Sequence, residues 1–330
     1  MRKSEKVIAN KVNNDLNTVR AVENVIKLAR PSKIKLGEIT IPNQATDMEV
    51  MFLGKMMLHN IEQGTRMGNM HRGLMESYGN VPEEAKERMT FYKDSFEKDF
   101  EEQKKVATKI IATHPLSKKL CQIKGFTEYQ LGIVMACMKD VKRFPSPSNL
   151  FVYAGVAPKN GIVVTKGTMA LHRMAKHEFY GEGNEPEDFK EFGFNTTFKQ
   201  RMYIIGESIL KQKGFFYNEF LKARKHLEER AINNGECFVA TELDQKTSKG
   251  IMRAGERYMV GKKNQSLIMW SYKNAFWRQC RTLLHFIYCE WCELEGIQAR
   301  ELYCIEYLGH QRKMTIDECL AYEKGLKEKD

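Results

Sequence analysis

The sequence predicts an all-α protein, a helical bundle with one long helix and a helix-hairpin-helix module, and three observations predict it. Apolar residues recur at helical spacing through most of the chain. Residues that start and stop helices bracket those stretches. Strand-like alternation of apolar and polar residues has one good candidate in the first third, Ile34 to Ile41 around Gly37.

Taken in order, residues 7 to 29 form a helix with Ile8, Val12, Leu16, Val19, Val22 and Ile26 on one face and Pro31 just past its end. Thr46 and Asp47 open a Met-rich helix that runs to about Tyr78 and is loosened by Gly54, Gly64, Gly68 and Gly73. Its methionines read as core filler. Asn80-Val81-Pro82-Glu83-Glu84 combines a capping residue, an early proline and first-turn acids, so a long helix follows. It ends near His114-Pro115, because the residue before a proline leaves the helical region. Met89, Tyr92, Phe96, Phe100, Val106 and Ile110 make a partly heptad-like seam interrupted by Asp99 and Gln103. The 83–111 helix therefore either meets a second copy, making the chain a candidate homo-oligomer, or packs on its own domain. Its many carboxylates form a wet face.

Leu116 to Gly155 is the most informative stretch. Ile123-Lys124-Gly125-Phe126-Thr127 forms a tight turn between helices, with Gly125 supplying backbone freedom. Thr127 and Gln130 make a capping box for the next helix, whose apolar positions are Leu131, Val134, Met135 and Met138. Ile123 and Phe126 pack beneath it. Free N–H groups at such a turn suit one phosphate, and the alternative is an ordinary helical corner. A Gly- and Lys-rich loop follows at 159–194, including Gly181-Glu182-Gly183-Asn184-Glu185-Pro186. Helices resume at Asn195 and run through Arg230 with Met202, Ile205, Ile209 and Leu210 on their apolar face. Residues 233–264, carrying Lys246, Lys249, Arg253, Arg257, Lys262 and Lys263, read as a flexible basic insertion. A last core helix starts near Ser266 and holds Trp270, Phe276, Trp277, Leu283, Leu284, Phe286, Ile287 and Trp291. The segments are thus 1–79, 80–115, 116–158 and 159–330.

The 330 residues carry 53 Lys+Arg against 42 Asp+Glu, a formal charge of +11. That surplus favours a polyanionic partner: DNA, or a structured RNA. A composition of 42% hydrophobic and 29% charged residues excludes whole-chain disorder. No stretch approaches the roughly 20 apolar residues that cross a bilayer, and Met1-Arg2-Lys3-Ser4-Glu5-Lys6 lacks the apolar core of a signal peptide. The expectation is a cytoplasmic protein with no membrane partner. Its eight cysteines sit mostly within helical patterns and read as free thiols.

The order His114-Pro115-Leu116, Ile123-Lys124-Gly125, Arg143-Phe144 and Tyr153-Ala154-Gly155-Val156-Ala157-Pro158 resembles the C-terminal domain of the insertion-sequence 110/116/902 transposases. Phe194-Asn195-Thr196-Thr197-Phe198-Lys199 with Tyr203-Ile204-Ile205-Gly206-Glu207-Ser208 is similar to that domain's later helix. Ser271-Tyr272-Lys273-Asn274-Ala275 with Arg278, Arg281 and Leu284 is similar to its basic helix. The resemblance spans roughly residues 80 to 296 and implies a DNA-binding protein of transposition or recombination.

Full-length members of that family also carry a RuvC-like nuclease domain with four acidic metal ligands, and a catalytic serine after the Gly-x-x-Pro segment. This chain departs at both places. Its first 118 residues read as helices with one short hairpin, whereas the nuclease fold needs several strands to place its carboxylates. Between Pro158 and Thr168 there is no serine, and only Thr165 and Thr168 offer a hydroxyl. Thr165 is the candidate nucleophile, with no base evident beside it. The chain reads as a relative lacking its own nuclease.

The expected nucleic-acid contacts are Gly125, Phe126 and Thr127 at the turn, with Lys118, Lys119, Lys124, Lys142 and Arg143 around it. Lys273, Arg278 and Arg281 form a second basic face. No cofactor or metal is expected: Cys289-x-x-Cys292 with Cys280 and His285 lies in an apolar helix and reads as buried thiols, and His172, His177, Glu178 and Glu182 read as solvated loop residues. Three readings remain: a transposase-like recombination protein without its nuclease, an enzyme using Thr165 in strand transfer, and a helical structural or interaction protein of a mobile element or phage.

Overall fold

Thr46 begins the first helix among the described residues by exchanging hydrogen bonds with Glu49. The Thr46 hydroxyl accepts from the Glu49 N–H at 3.3 Å, and the Glu49 carboxylate accepts from the Thr46 N–H at 2.8 Å. Helix α1 then runs Asp47–Ser77 and α2 runs Glu83–Ala112. The computed structural model describes residues 41–77, 83–157, 194–240, 246–247, 250–261, 265–302 and 314–327. The expected helix over 7 to 29, the 34–41 hairpin apart from Ile41, the Asn80-Val81-Pro82 start and the loop from 159 to 193 with Thr165 lie outside the described residues.

The long helix finds its partner within the chain. Asn60 on α1 donates to Gln103 at 2.9 Å, Gly64 faces Phe96, and His71 meets Thr90 at 3.3 Å, so α1 and α2 run antiparallel. Towards its start the α2 seam stays open, with Tyr92 42% exposed.

Four more elements follow in close succession: α3 (Pro115–Leu120), α4 (Glu128–Met138), a 3-10 turn (Val141–Arg143) and α5 (Pro147–Tyr153). Every residue of α4 from Leu131 to Met138 is buried, which makes it a core helix surrounded on all sides. Gly54 does not loosen α1 as its sequence context suggests. A Cβ there would run into the Gly132 carbonyl, so the two glycines let α1 and α4 cross backbone to backbone.

The remaining helices are α6 (Thr196–Lys211), α7 (Phe215–Asn233), α8 (Leu267–Leu294) and α9 (Ile316–Lys327). Asn195 and Ser266 cap α6 and α8 through their side chains, at the two starts the sequence marks. Helix α8 is the hub, packing against α3, α5, α6 and α7. From Pro42 onward the chain is one compact unit, and its main core is continuous from Ala45 to Cys319. The four sequence segments therefore share a core from that point. Among the described residues the protein is all-α, with strands confined to two short antiparallel ribbons.

The expected flexible insertion at 233–264 is partly ordered. Strand β1 (Cys237–Val239) pairs with β4 (Arg257–Met259), and β2 (Lys246–Thr247) pairs with β3 (Gly250–Ile251). Tyr258 and Met259 are buried, and Met259 joins a satellite cluster with Ala231, Leu267 and Trp270. Burial of those apolar residues outweighs the basic, polar character that suggests a loop.

Candidate nucleic-acid interface

The hairpin turn is built as its residues dictate. Gly125 sits at φ 84°, a left-handed conformation that favours glycine. The Thr127 hydroxyl accepts from the Gln130 N–H at 3.4 Å, and the Gln130 side chain accepts from the Thr127 N–H at 3.0 Å. Ile123 and Phe126 are buried beneath the second helix.

The turn faces α6 as well as solvent. Ser208 donates its hydroxyl proton to the Gly125 carbonyl at 3.1 Å, and a Cβ on Gly125 would stand 2.8 Å from the Ile209 Cα. The Phe126 N–H donates to the Ile123 carbonyl at 3.1 Å, and the Thr127 N–H is taken by Gln130. Two turn amides are thereby spent inside the protein. Phe126, expected on the presented turn, belongs to the core because its ring closes the hairpin. Thr127 is exposed and Lys124 half-exposed.

The expected basic residues divide by what holds them. Lys119 pairs with Glu290 at 2.8 Å and lies 3.7 Å from Asp317, while Lys142 pairs with Glu295 at 2.6 Å. Arg143 donates to the Met138 carbonyl at 2.9 Å and lies against the Phe144 and Tyr153 rings. Arg281 donates to the Val156 carbonyl at 2.8 Å, tying α8 to the end of α5. Among the described residues Lys118, Lys124, Lys273 and Arg278 have no ion-pair partner. Among the described residues, four of the eight expected cations thus have no carboxylate or carbonyl partner for their charged groups.

On the side of α8 that carries Lys273 and Trp277, α6 and α8 bring together residues that a charge inventory overlooks. The Lys199 ammonium lies 5.1 Å from the Phe194 ring centre and 5.4 Å from that of Trp277. Burial lowers the Lys199 pKa below the ordinary lysine range. The Tyr203 ring lies 6.2 Å from Trp277 and 5.2 Å from Phe276, and its hydroxyl donates to Glu207 at 3.0 Å. That bond, with the Glu207 charge, raises the Tyr203 pKa and keeps the phenol neutral. Lys199, Tyr203, Glu207 and Lys211 are spaced four apart on α6, as are Lys273, Trp277 and Arg281 on α8, so a periodicity signal for both stripes is present in the sequence.

Two polar clusters resemble catalytic arrangements. His114 Nε2 donates to Asp47 at 2.7 Å, and Trp291 Nε1 donates to the other Asp47 oxygen at 2.6 Å. The Leu116 N–H points at His114 Nδ1 from 3.3 Å, which makes Nδ1 an acceptor and Nε2 the protonated nitrogen. Both ring nitrogens are occupied, so His114 has no free base to offer a nucleophile. In α8, the Cys289 sulfur lies 3.3 Å from His285 Nε2, and Cys280 is wholly buried with its thiol pushed up to about 12. Among the described residues no group of three or more His, Cys, Asp and Glu side chains is placed to hold a metal.

Set against known protein families, curated proteins and solved structures, the chain matches none of them.

Proposed function

We propose that the chain binds DNA, or a structured RNA with DNA, through phosphate contacts, as a transposase-like protein of transposition or recombination without its own nuclease. The observation that carries this reading is the pair Lys273 and Arg278, exposed on α8 on either side of Trp277 and lacking any carboxylate partner among the described residues. Lys118 and Lys124 extend the charge around the hairpin. Phosphate contacts position a duplex without reading its sequence, so no target sequence follows.

A salt-titrated binding assay with duplex and branched DNA tests the reading, because counterion release makes phosphate binding fall steeply with salt. Lys273→Glu/Arg278→Glu protein is expected to lose affinity and to show a shallower salt slope. Equal binding by wild type and this variant at every salt concentration would remove the proposal. Strand transfer by Thr165 is tested separately with a cleavage or covalent-complex assay on Thr165→Ala.

A second reading, a structural or interaction protein of a mobile element or phage, rests on exposed apolar residues. Phe238, Val239, Val260, Ile268 and Met269 are exposed around the β1–β4 ribbon and the start of α8. Absence of any nucleic-acid binding at low salt favours this reading. Assembly with a second copy through the 83–111 helix would use Phe91 and Tyr92, and light scattering of Phe91→Ser/Tyr92→Ser protein tests it. None of the described helices is long and apolar enough to cross a membrane; a cytoplasmic location is part of the same proposal.

A further inference from the structure

Tyr203 is 47% exposed, a large fraction for an aromatic ring already in contact with two others. Phe276, 2% exposed, supports it from the core, while Trp277 stands half-buried beside it. Contact with the Phe276 and Trp277 rings holds the Tyr203 ring in place, so its outer side is a fixed, solvent-facing platform. Helices α6 and α8 run antiparallel here. The Lys199 stem lies beside Gly155 and Arg281 donates to Val156, so both reach the end of α5. At the other end Tyr272 feels the charges of Glu207 and Lys211, with Lys273 next to it in the chain. The one carboxylate in the two stripes is Glu207, which lies 3.4 Å from Lys211 and also accepts from Tyr203. The platform is therefore bordered by net positive charge.

We propose that this face takes a single-stranded segment of nucleic acid, with an unpaired base stacked on Tyr203 and a neighbouring phosphate beside Lys273. The proposal rests on the nucleic-acid-binding reading and specifies the substrate class for that face. In a duplex the base faces are covered by one another, and a surface ring cannot reach them. An unpaired base exposes its face, and stacking on an aromatic tolerates any sequence because every base has one. Lysines and arginines serve either form equally, so the ring is what separates them. Trp277 widens the apolar floor, and Lys199 against it adds positive charge to the ring's surroundings.

The test measures binding of the full chain to a labelled oligodeoxythymidylate and to a blunt duplex across a salt series. Tyr203→Ala is expected to bind the single strand about tenfold more weakly, with duplex affinity unchanged. Its salt slope should match wild type, because no phosphate contact has been removed. Tyr203→Phe, which keeps the ring and loses the bond to Glu207, should retain wild-type affinity. In wild type the oligonucleotide should quench tryptophan emission, and Trp277→Phe should abolish that quench while still binding.

Wild-type affinity of Tyr203→Ala for the single strand overturns the proposal, as does an equal loss for single strand and duplex. A wild-type protein that binds duplex and ignores oligodeoxythymidylate overturns it while leaving the broader reading in place. One that binds neither overturns both.

Discussion

Asp47 joins the start of α1 to two donors that have no water to turn to. His114 and Trp291 are each 1% exposed, and their N–H groups lie 2.7 and 2.6 Å from the two Asp47 oxygens. Asp47→Ala removes both acceptors and strands both donors, at about 1–3 kcal/mol each, so a loss of about 3 kcal/mol is expected. For a unit of this size that corresponds to a fall of about 6–10 °C in melting temperature. Urea unfolding monitored by tryptophan fluorescence and thermal unfolding by circular dichroism measure it. Asp47→Asn should cost nearly as much, because its amide nitrogen would face a donor. The pH dependence carries a definite sign. Burial pushes the Asp47 carboxyl up, but the bonds from His114 and Trp291 outweigh it and hold the pKa below the ordinary value. The stabilisation is then fully present above the unfolded carboxylate value of about 3.9 and is lost as pH falls through the lower folded value. Asp47→Asn should therefore flatten the acid limb of the stability profile. An alanine variant that melts within about 1 °C of wild type would refute the reasoning, since stranded buried donors must cost more.

Gly54→Ala should destabilise by about 3 kcal/mol in denaturant unfolding, because its Cβ meets backbone at Gly132 that has no side chain to move aside. Gly68→Ala, on the same helix with nothing within 4 Å of the new carbon, should stabilise by about 0.5–1 kcal/mol. Gln279 is 3% exposed and neither of its amide atoms has a partner among the described residues, so Gln279→Met should raise the melting temperature, worth about 1 kcal/mol. Lys119→Ala leaves Glu290 without its closest cation and should lower the melting temperature with nucleic-acid affinity unchanged. Lys118→Ala should do the reverse, weakening binding and reducing its salt slope.

What the sequence disclosed was local. The Thr127 and Gln130 capping box, the Asn195 and Ser266 starts and the stop before Pro115 each depend on residues within one helical turn, and each is where the pattern puts it. Contacts between distant segments were not legible. Nothing near Asp47 announces Trp291, which lies 244 residues away, and nothing near Lys119 announces Glu290. Charge alone therefore overstated the basic surface, since a lysine already paired inside the protein looks like any other in sequence. Gly54 was misread for the same reason: a glycine in a helix reads as a weak point until the backbone it admits is known. Tyr203 and Trp277 were hidden differently. Their immediate chain neighbours Met202, Ile204 and Phe276 match a core helix, which masks the charged residues four positions away on either side, and the packing of α6 on α8 leaves Tyr203 facing out.

The hub position of α8 bears on how the chain is made. Helices α3, α5, α6 and α7 all precede it in the sequence and all pack against it. A ribosome adding about 5–20 residues per second reaches the end of α8 roughly 12–50 s after Asp47 has been added. Throughout that interval Phe216 lacks the Phe286 ring it meets edge to face, and the Met-rich α1 lacks Trp291, the donor to Asp47. The nascent chain thus carries an open apolar surface until Leu267–Leu294 has been synthesised, which makes α8 the helix whose arrival lets the earlier ones close around a common core.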